Sequence, residues 1–221
     1  MSKIAYLIYD LDGLLLNTES INAEVNSAIA ARYGKIFDTS VKAKIAGRNA
    51  FDSAKIIVEI LQIPLTPSEY LQQREKIITQ LYPQAQPLPG AVTLTKHFHQ
   101  HHLPQAVATS TAKQRFALKT SSHQQWFSVF DCIVTGDDPE LKQGKPAPDI
   151  FLLAAQRLGA SPEKCLVFED SLSGVQAALA ARMSVVAIPD PDLDRSLYQN
   201  AHQVLNSLNE FQPQFWNLPE F

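Results

Sequence analysis

The stretch Ile4-Ala5-Tyr6-Leu7-Ile8-Tyr9, closed by Asp10-Leu11-Asp12-Gly13, decides how this 221-residue chain is read. Its apolar character is nearly continuous rather than alternating, which is what a strand covered on both faces of a parallel sheet requires. Similar short runs recur at residues 105–108, 132–135, 165–168 and 185–188. Segments 113–120, 149–158 and 174–181 lie between the later runs and carry helical spacing, so strand and helix alternate. The pattern predicts an α/β fold, a doubly wound parallel sheet.

Residues from about 18 to 86 break the alternation. They read as amphipathic helices over 21–33, 52–61 and 68–81, with no convincing strand. The expected organisation is therefore a core of residues 1–16 and 87–221, interrupted after its first strand by a helical insert over 17–86. Pro83, Pro87, Pro89 and Gly90 mark the return, because that cluster cannot continue a helix and suits a hinge.

Composition bounds what such a chain can do. At 45% hydrophobic and 19% charged residues it is globular, and folding at this length removes roughly 70% of the unfolded surface, so a core forms without disulfides or structural metal. Lys and Arg number 19 against 22 Asp and Glu, a formal charge of -3. That balance offers no basic field for nucleic acid or an anionic membrane, and any anionic substrate must be held locally. Cys132 and Cys165 each lie in an apolar run and read as inert core thiols. The N-terminus lacks the apolar stretch and cleavage site of a signal peptide, and the expected location is the cytoplasm.

In an open parallel sheet, ligands bind beyond the carboxyl ends of the strands. Here those positions are polar: Asp10 and Asp12 after the first run, Thr109-Ser110-Thr111 after the second, Asp137-Asp138 and then Gly144-Lys145-Pro146 after the third, and Glu169-Asp170-Ser171 after the fourth. Any one of these groups could be an ordinary turn or helix cap. Together, three acidic clusters on one rim repel each other unless a hard cation such as Mg²⁺ lies among them.

The order Asp10-x-Asp12-Gly13, Thr109-Ser110, Gly144-Lys145-Pro146-x-Pro148-Asp149, Glu169-Asp170-Ser171-x-x-Gly174 resembles the four motifs of the haloacid dehalogenase-like superfamily of hydrolases. The stretches LDGLLLNTES and KCLVFEDSLSGVQAALAA look like its pseudouridine-5′-phosphatase branch, which is related to β-phosphoglucomutase. The resemblance implies a Rossmann-like core with a small helical cap after strand one, and a Mg²⁺-dependent phosphomonoesterase. It implies Asp10 as nucleophile, forming an aspartyl-phosphate, and Asp12 as the acid that protonates the leaving oxygen and the base that activates water. It further implies Thr109, Ser110 and Lys145 as phosphate-binding groups, with Mg²⁺ held by Asp10, the Asp12 backbone carbonyl and Asp170, and Glu169 as an outer or water-mediated partner. Asp12 points to phosphate esters, because members that attack carbon have no alkoxide to protonate.

The resemblance places substrate contact in the insert loop Ala46-Gly47-Arg48-Asn49, with Gly47 and Arg48 as candidates. The expected partner is a small phosphorylated metabolite, a nucleoside or sugar monophosphate, with pseudouridine 5′-phosphate the first compound to test and a monomer or weak homodimer the expected state. A sugar phosphomutase and a catalytically silent metabolite-binding protein on the same fold remain alternatives. The run Lys96-His97-Phe98-His99-Gln100-His101-His102 reads as a solvated helix end rather than a metal site. No Gly-x-Ser-x-Gly, Walker or Gly-x-Gly-x-x-Gly pattern is present, and Trp126, Phe127 and Phe130 read as packing aromatics. Two positions depart from the resemblance. Asn17 replaces an Asp at the insert entry, where altered hinge hydrogen bonding is expected. Arg182 replaces a Gly at a helix end, where a strained, positive φ is expected.

Overall fold

The computed structural model describes residues 3–45 and 50–221. The loop Ala46-Gly47-Arg48-Asn49, with both candidate substrate contacts, lies outside the described residues. The chain divides into two compact units, residues 1–17 with 86–221, and residues 18–85.

The larger unit holds a parallel sheet of β1 (Tyr6–Tyr9), β2 (Gln105–Ala108), β3 (Cys132–Val134), β4 (Cys165–Glu169), β5 (Ser184–Ala187) and β6 (Gln203–Val204). Its order is β3-β2-β1-β4-β5-β6, a Rossmann-like arrangement, with Tyr9 opposite Val107 on one side and Phe168 on the other. The order reverses between β1 and β4, so the crevice beyond their carboxyl ends is the topological switch point of the sheet. The five expected strands are present within one or two residues at each end. The additional β6 is two residues long, too short to leave any periodicity.

Alternation along each central strand divides the core in two. Ile8, Val167 and Val185 face α8 (Asp149–Arg157) and α9 (Leu172–Ala180), packing with Phe151, Ala154, Val175 and Ala178. Tyr9 and Phe168 turn the other way and stack at 5.0 Å, with the Phe211 ring edge-on to Phe168 at 4.9 Å and Phe130 edge-on to Tyr9 at 5.8 Å. On this side the Tyr9 hydroxyl donates to Gln105 Oε1 at 2.9 Å, and Gln105 Nε2 donates to the Thr95 carbonyl on α5 (Ala91–Gln100). The Trp126 indole N–H, on α7 (Gln124–Phe127), donates to Thr95 Oγ1 at 2.8 Å. Trp126, Phe127 and Phe130 are all buried, so these aromatics have packing work to do. Neither cysteine is in a disulfide, and burial pushes the Cys165 thiol up to about 12.

The smaller unit comprises α1 (Thr18–Arg32), α2 (Thr39–Ile45), α3 (Ala50–Leu61) and α4 (Pro67–Leu81). Its apolar interior includes Val25, Ile29, Ile57 and Ile78, with a buried hydrogen bond from the Tyr70 hydroxyl to Asn26 Oδ1. Helix α4 starts with a reciprocal cap, in which Thr66 Oγ1 accepts from the Glu69 N–H and Glu69 accepts from the Thr66 N–H, ahead of Pro67. Helix α2 was not expected; its seven residues bury only Val41, so they carry no readable stripe. The segments entering and leaving this insert are hydrogen-bonded to each other, from the Leu88 N–H to the Leu15 carbonyl and from the Asn17 N–H to the Gln86 carbonyl. No described helix is long and apolar enough to cross a membrane.

Helix α9 ends in a left-handed turn at Arg182, with φ 61°. The Arg182 N–H bonds the Leu179 carbonyl and the Met183 N–H bonds the Ala178 carbonyl, the pairing of a Schellman cap. An arginine in this conformation costs about 1 kcal/mol relative to glycine. Arg182→Gly is therefore expected to raise the thermal midpoint by about 2–4 °C without altering turnover, measured by calorimetry; an unchanged or lower midpoint would contradict the strain.

Candidate active site

Asp10 is the first residue past β1, and its N–H continues the ladder to the Phe168 carbonyl. The chain then turns on itself, with the Leu15 and Leu16 N–H groups both bonded to the Leu11 carbonyl. Within this turn the Asp12 N–H donates to Asp10 Oδ2 at 2.9 Å. Gly13 has φ +81°, and a Cβ there would overlap the carboxylate of Asp170. The glycine thus permits the turn after β1 to lie directly against the acid that follows β4.

Lys145 arrives from the loop after β3. Its ammonium group contacts Asp10 Oδ1 at 2.5 Å, Glu169 Oε1 at 2.5 Å and the Ala108 carbonyl at 3.1 Å, and lies 4.9 Å from the centre of the Phe151 ring. Three N–H donors meet three acceptors, so the buried cation is saturated. Glu169, at the last position of β4 and fully buried, uses its other oxygen to accept from the Ser171 N–H and hydroxyl, each at 2.9 Å. Ser171 in turn caps α9 by accepting from the Gly174 N–H. A Cβ on Gly174 would overlap the Glu169 carboxylate, which is why α9 can begin so close behind it.

Charge in this cluster is out of balance, with Asp10, Glu169 and Asp170 set against Lys145. Burial raises Asp10 to about 7, against the pull of Lys145, and Glu169 and Asp12 add to the rise. Burial likewise holds Asp170 well above the usual carboxylate range, reinforced by Glu169 and Asp10. For Lys145, burial opposes the charge, but Asp10 and Glu169 outweigh it and keep the ammonium above its ordinary value. Such a site fits a hard cation with oxygen ligands. Among the described residues no group of three or more His, Cys, Asp or Glu side chains is placed to hold a metal. A cation near Asp10 and Asp170 would therefore be completed by backbone, water or substrate oxygens.

The hydroxyl group of Thr109, the first residue past β2, is buried and accepts from the Thr111 N–H at 3.1 Å, while Ser110 is exposed at the rim. The Asp12 carboxylate is engaged at both oxygens, by Lys119 Nζ at 2.6 Å and by Thr111 Oγ1 at 2.6 Å. Lys119 had no place among the sequence candidates. Its signal was present: on α6 (Lys113–Lys119) it falls three residues after buried Phe116, so it is a lysine on an apolar helix face that needs a partner.

The third acidic cluster is occupied elsewhere and is a correction to the expected convergence. Asp137 accepts from the Lys113 N–H at the start of α6 and from Thr135 Oγ1, both at 2.8 Å. Asp138 is held by the fork of Arg157 at 2.7 and 2.9 Å. In the histidine run, His97 Nε2 lies 3.0 Å from the Pro219 carbonyl, and its ring packs against Phe98 and Phe221.

The model of the haloacid dehalogenase-like hydrolase family matches residues 7–188. Among similar proteins, (DL)-glycerol-3-phosphatase 2 of Arabidopsis thaliana is 47% identical over 99% of this chain and 93% of its own. The probable pseudouridine-5′-phosphatase of Drosophila melanogaster is 40% identical over 100% of this chain and 97% of its own. A family hydrolase from Deinococcus radiodurans, crystallised with bound phosphate and sodium, superposes with a TM-score of 0.80 at 26% identity, covering 98% of this chain and 97% of that one.

Gly13→Ala is expected to displace Asp170 and cost about 10²-fold in kcat/KM on p-nitrophenyl phosphate, as for other misplacements of about 1 Å. Gly159→Ala is the control: its φ is +66° but its Cβ would meet nothing within 4 Å. It should lower stability and spare turnover. Equal turnover by the two variants would dissociate Gly13 from the site.

Proposed function

The chain belongs to the haloacid dehalogenase-like hydrolase family, and from that premise we propose that it hydrolyses small phosphate monoesters through an aspartyl-phosphate at Asp10. The observation that carries this reading is the buried Asp10 at the sheet's switch point, fixed by Lys145 on one oxygen and by the Asp12 N–H on the other. A carboxylate held at both oxygens keeps its remaining lone pairs aimed in one direction, as in-line attack on phosphorus requires.

In the first half-reaction the Asp10 oxygen bonds to phosphorus, the bond to the leaving oxygen breaks, and Asp12 gives that oxygen a proton. In the second, water attacks phosphorus as Asp12 takes its proton, and Asp10 is released. Lys145 balances charge where the phosphoryl group arrives, with its own position set by Glu169 and the Ala108 carbonyl. The Thr109 hydroxyl, already accepting from Thr111, retains a proton to donate to a phosphate oxygen, with the Ser110 N–H as its expected partner. Asp10, Asp170 and the Asp12 carbonyl would hold Mg²⁺, while Glu169, engaged with Lys145 and Ser171, would reach it only through water. When bound, Mg²⁺ would supply positive charge to the phosphoryl oxygens.

We assign substrate choice to the inserted helical unit, including the Arg48 loop. The names of the similar enzymes make glycerol 3-phosphate and pseudouridine 5′-phosphate the first compounds to assay, beside other sugar and nucleoside monophosphates.

Asp10→Asn is expected to lower inorganic phosphate release by about 10⁴-fold or more, measured with Mg²⁺ on that panel; activity equal to wild type would remove Asp10 from the chemistry. Accumulation of free phosphate separates hydrolysis from a phosphomutase, which would conserve the phosphate ester. Chelation by EDTA is expected to abolish turnover and added Mg²⁺ to restore it, with Mg²⁺ raising the thermal midpoint of wild type and not of Asp170→Asn. Full turnover after chelation would contradict the metal assignment.

A further inference from the structure

We propose that Lys119 is a positioning residue for the acid–base carboxylate of Asp12, an inference that rests on the reading of Asp12 given above. The lysine is 5% exposed, unusual for a residue whose ammonium group must be solvated or paired. Its Nζ contacts Asp12 Oδ1 at 2.6 Å and donates to Thr111 Oγ1 at 2.9 Å, and Thr111 Oγ1 donates to Asp12 Oδ2 at 2.6 Å. The three side chains close a ring that clamps both oxygens of one carboxylate and so fixes its rotation as well as its position. The clamp is itself anchored. Helix α6 is held at its start by Asp137 on the Lys113 N–H and along its length by Phe116, whose ring packs edge-on to Phe127 at 5.6 Å.

Two carboxylates two residues apart thus have separate buried ammonium partners, Lys145 for Asp10 and Lys119 for Asp12. The two contacts give each carboxylate its own direction. A general acid works only within hydrogen-bond reach of the oxygen it protonates. The distance from Lys119 to the phosphate is therefore secondary; its contribution runs through the orientation of Asp12.

The consequence is a dependence on the leaving group. In the first half-reaction the Asp10–phosphorus bond forms, the bond from phosphorus to the leaving oxygen breaks, and the Asp12 proton goes to that oxygen. An alkoxide needs that proton, whereas p-nitrophenolate departs without it. In the second half a water oxygen bonds to phosphorus, the Asp10–phosphorus bond breaks, and the water's proton returns to Asp12, whatever the substrate was. A loosened Asp12 should thus slow both halves on an alkyl phosphate but only the second half on an aryl phosphate.

The test is rapid mixing of full-length Lys119→Met with Mg²⁺ and either p-nitrophenyl phosphate or glycerol 3-phosphate. The expected result on the aryl ester is a burst approaching one equivalent of p-nitrophenolate per chain, followed by slow turnover. On glycerol 3-phosphate kcat should fall about 10²-fold or more with no burst, and Lys119→Arg should recover part of the loss. Thr111→Val, which removes the clamp on the other oxygen, should produce the same burst and keeps the test open if Lys119→Met does not fold. Proportional losses on both esters without a burst, accompanied by a lower thermal midpoint, would show a structural lysine and overturn the inference. So would a raised KM and a raised inhibition constant for inorganic phosphate with kcat intact, the signature of a phosphate ligand. Wild-type activity in Asp10→Asn would bring down the reading of the site and this inference with it, whereas the other two outcomes overturn the role of Lys119 alone.

Discussion

The Lys145 ammonium group, buried with Asp10, Glu169 and the Ala108 carbonyl as its three acceptors, is the interaction on which the site depends. A lysine taken out of water is tolerable only when each proton has a partner and opposite charge lies close by. Satisfying that requirement ties three strand ends together, because Asp10 follows β1, Ala108 ends β2 and Glu169 ends β4. The cation therefore fixes the direction of the Asp10 carboxylate, and the surplus of carboxylates around it favours further positive charge at the site.

The sheet makes this convergence possible. Parallel strands put all their carboxyl ends on one edge, and the reversal of order between β1 and β4 opens that edge beside Asp10. Close approach is then a matter of missing side-chain atoms. At Gly13 and Gly174 a Cβ would occupy space taken by the carboxylates of Asp170 and Glu169. Ser171 adds a link of a different kind, since one hydroxyl caps α9 and holds Glu169 at the same time. Helix start, acid and lysine are consequently one connected hydrogen-bonded unit.

Much of this was legible in the amino-acid order. Continuous apolar runs located the five main strands, because burial on both faces leaves no alternative pattern, and the polar residues after them marked the edge that carries Asp10, Lys145 and Glu169. The left-handed turn at Arg182 was legible for the same kind of reason, as a helix end where glycine is the ordinary choice. What could not be read was partnership. Asp137 and Asp138 look like further site acids in the sequence, yet their oxygens serve the start of α6, Thr135 and Arg157. Lys119 stands three residues after Phe116, on the apolar face of α6, which marks a lysine in need of a partner, but nothing in the order of residues says that the partner is Asp12. Short elements escaped as well, because α2 and β6 are too brief to establish a period.

Covalent chemistry at Asp10 is the central step of the proposed hydrolysis. The most direct measurement is to quench wild-type protein in acid while it turns over p-nitrophenyl phosphate, reduce the acyl phosphate with borohydride, and map the modified residue by mass spectrometry. An aspartyl-phosphate at Asp10 predicts conversion of that residue, and of no other acidic residue, to homoserine, dependent on substrate. Modification at another residue, or none during phosphate release under conditions where a pre-steady-state burst shows that an intermediate accumulates, would contradict it.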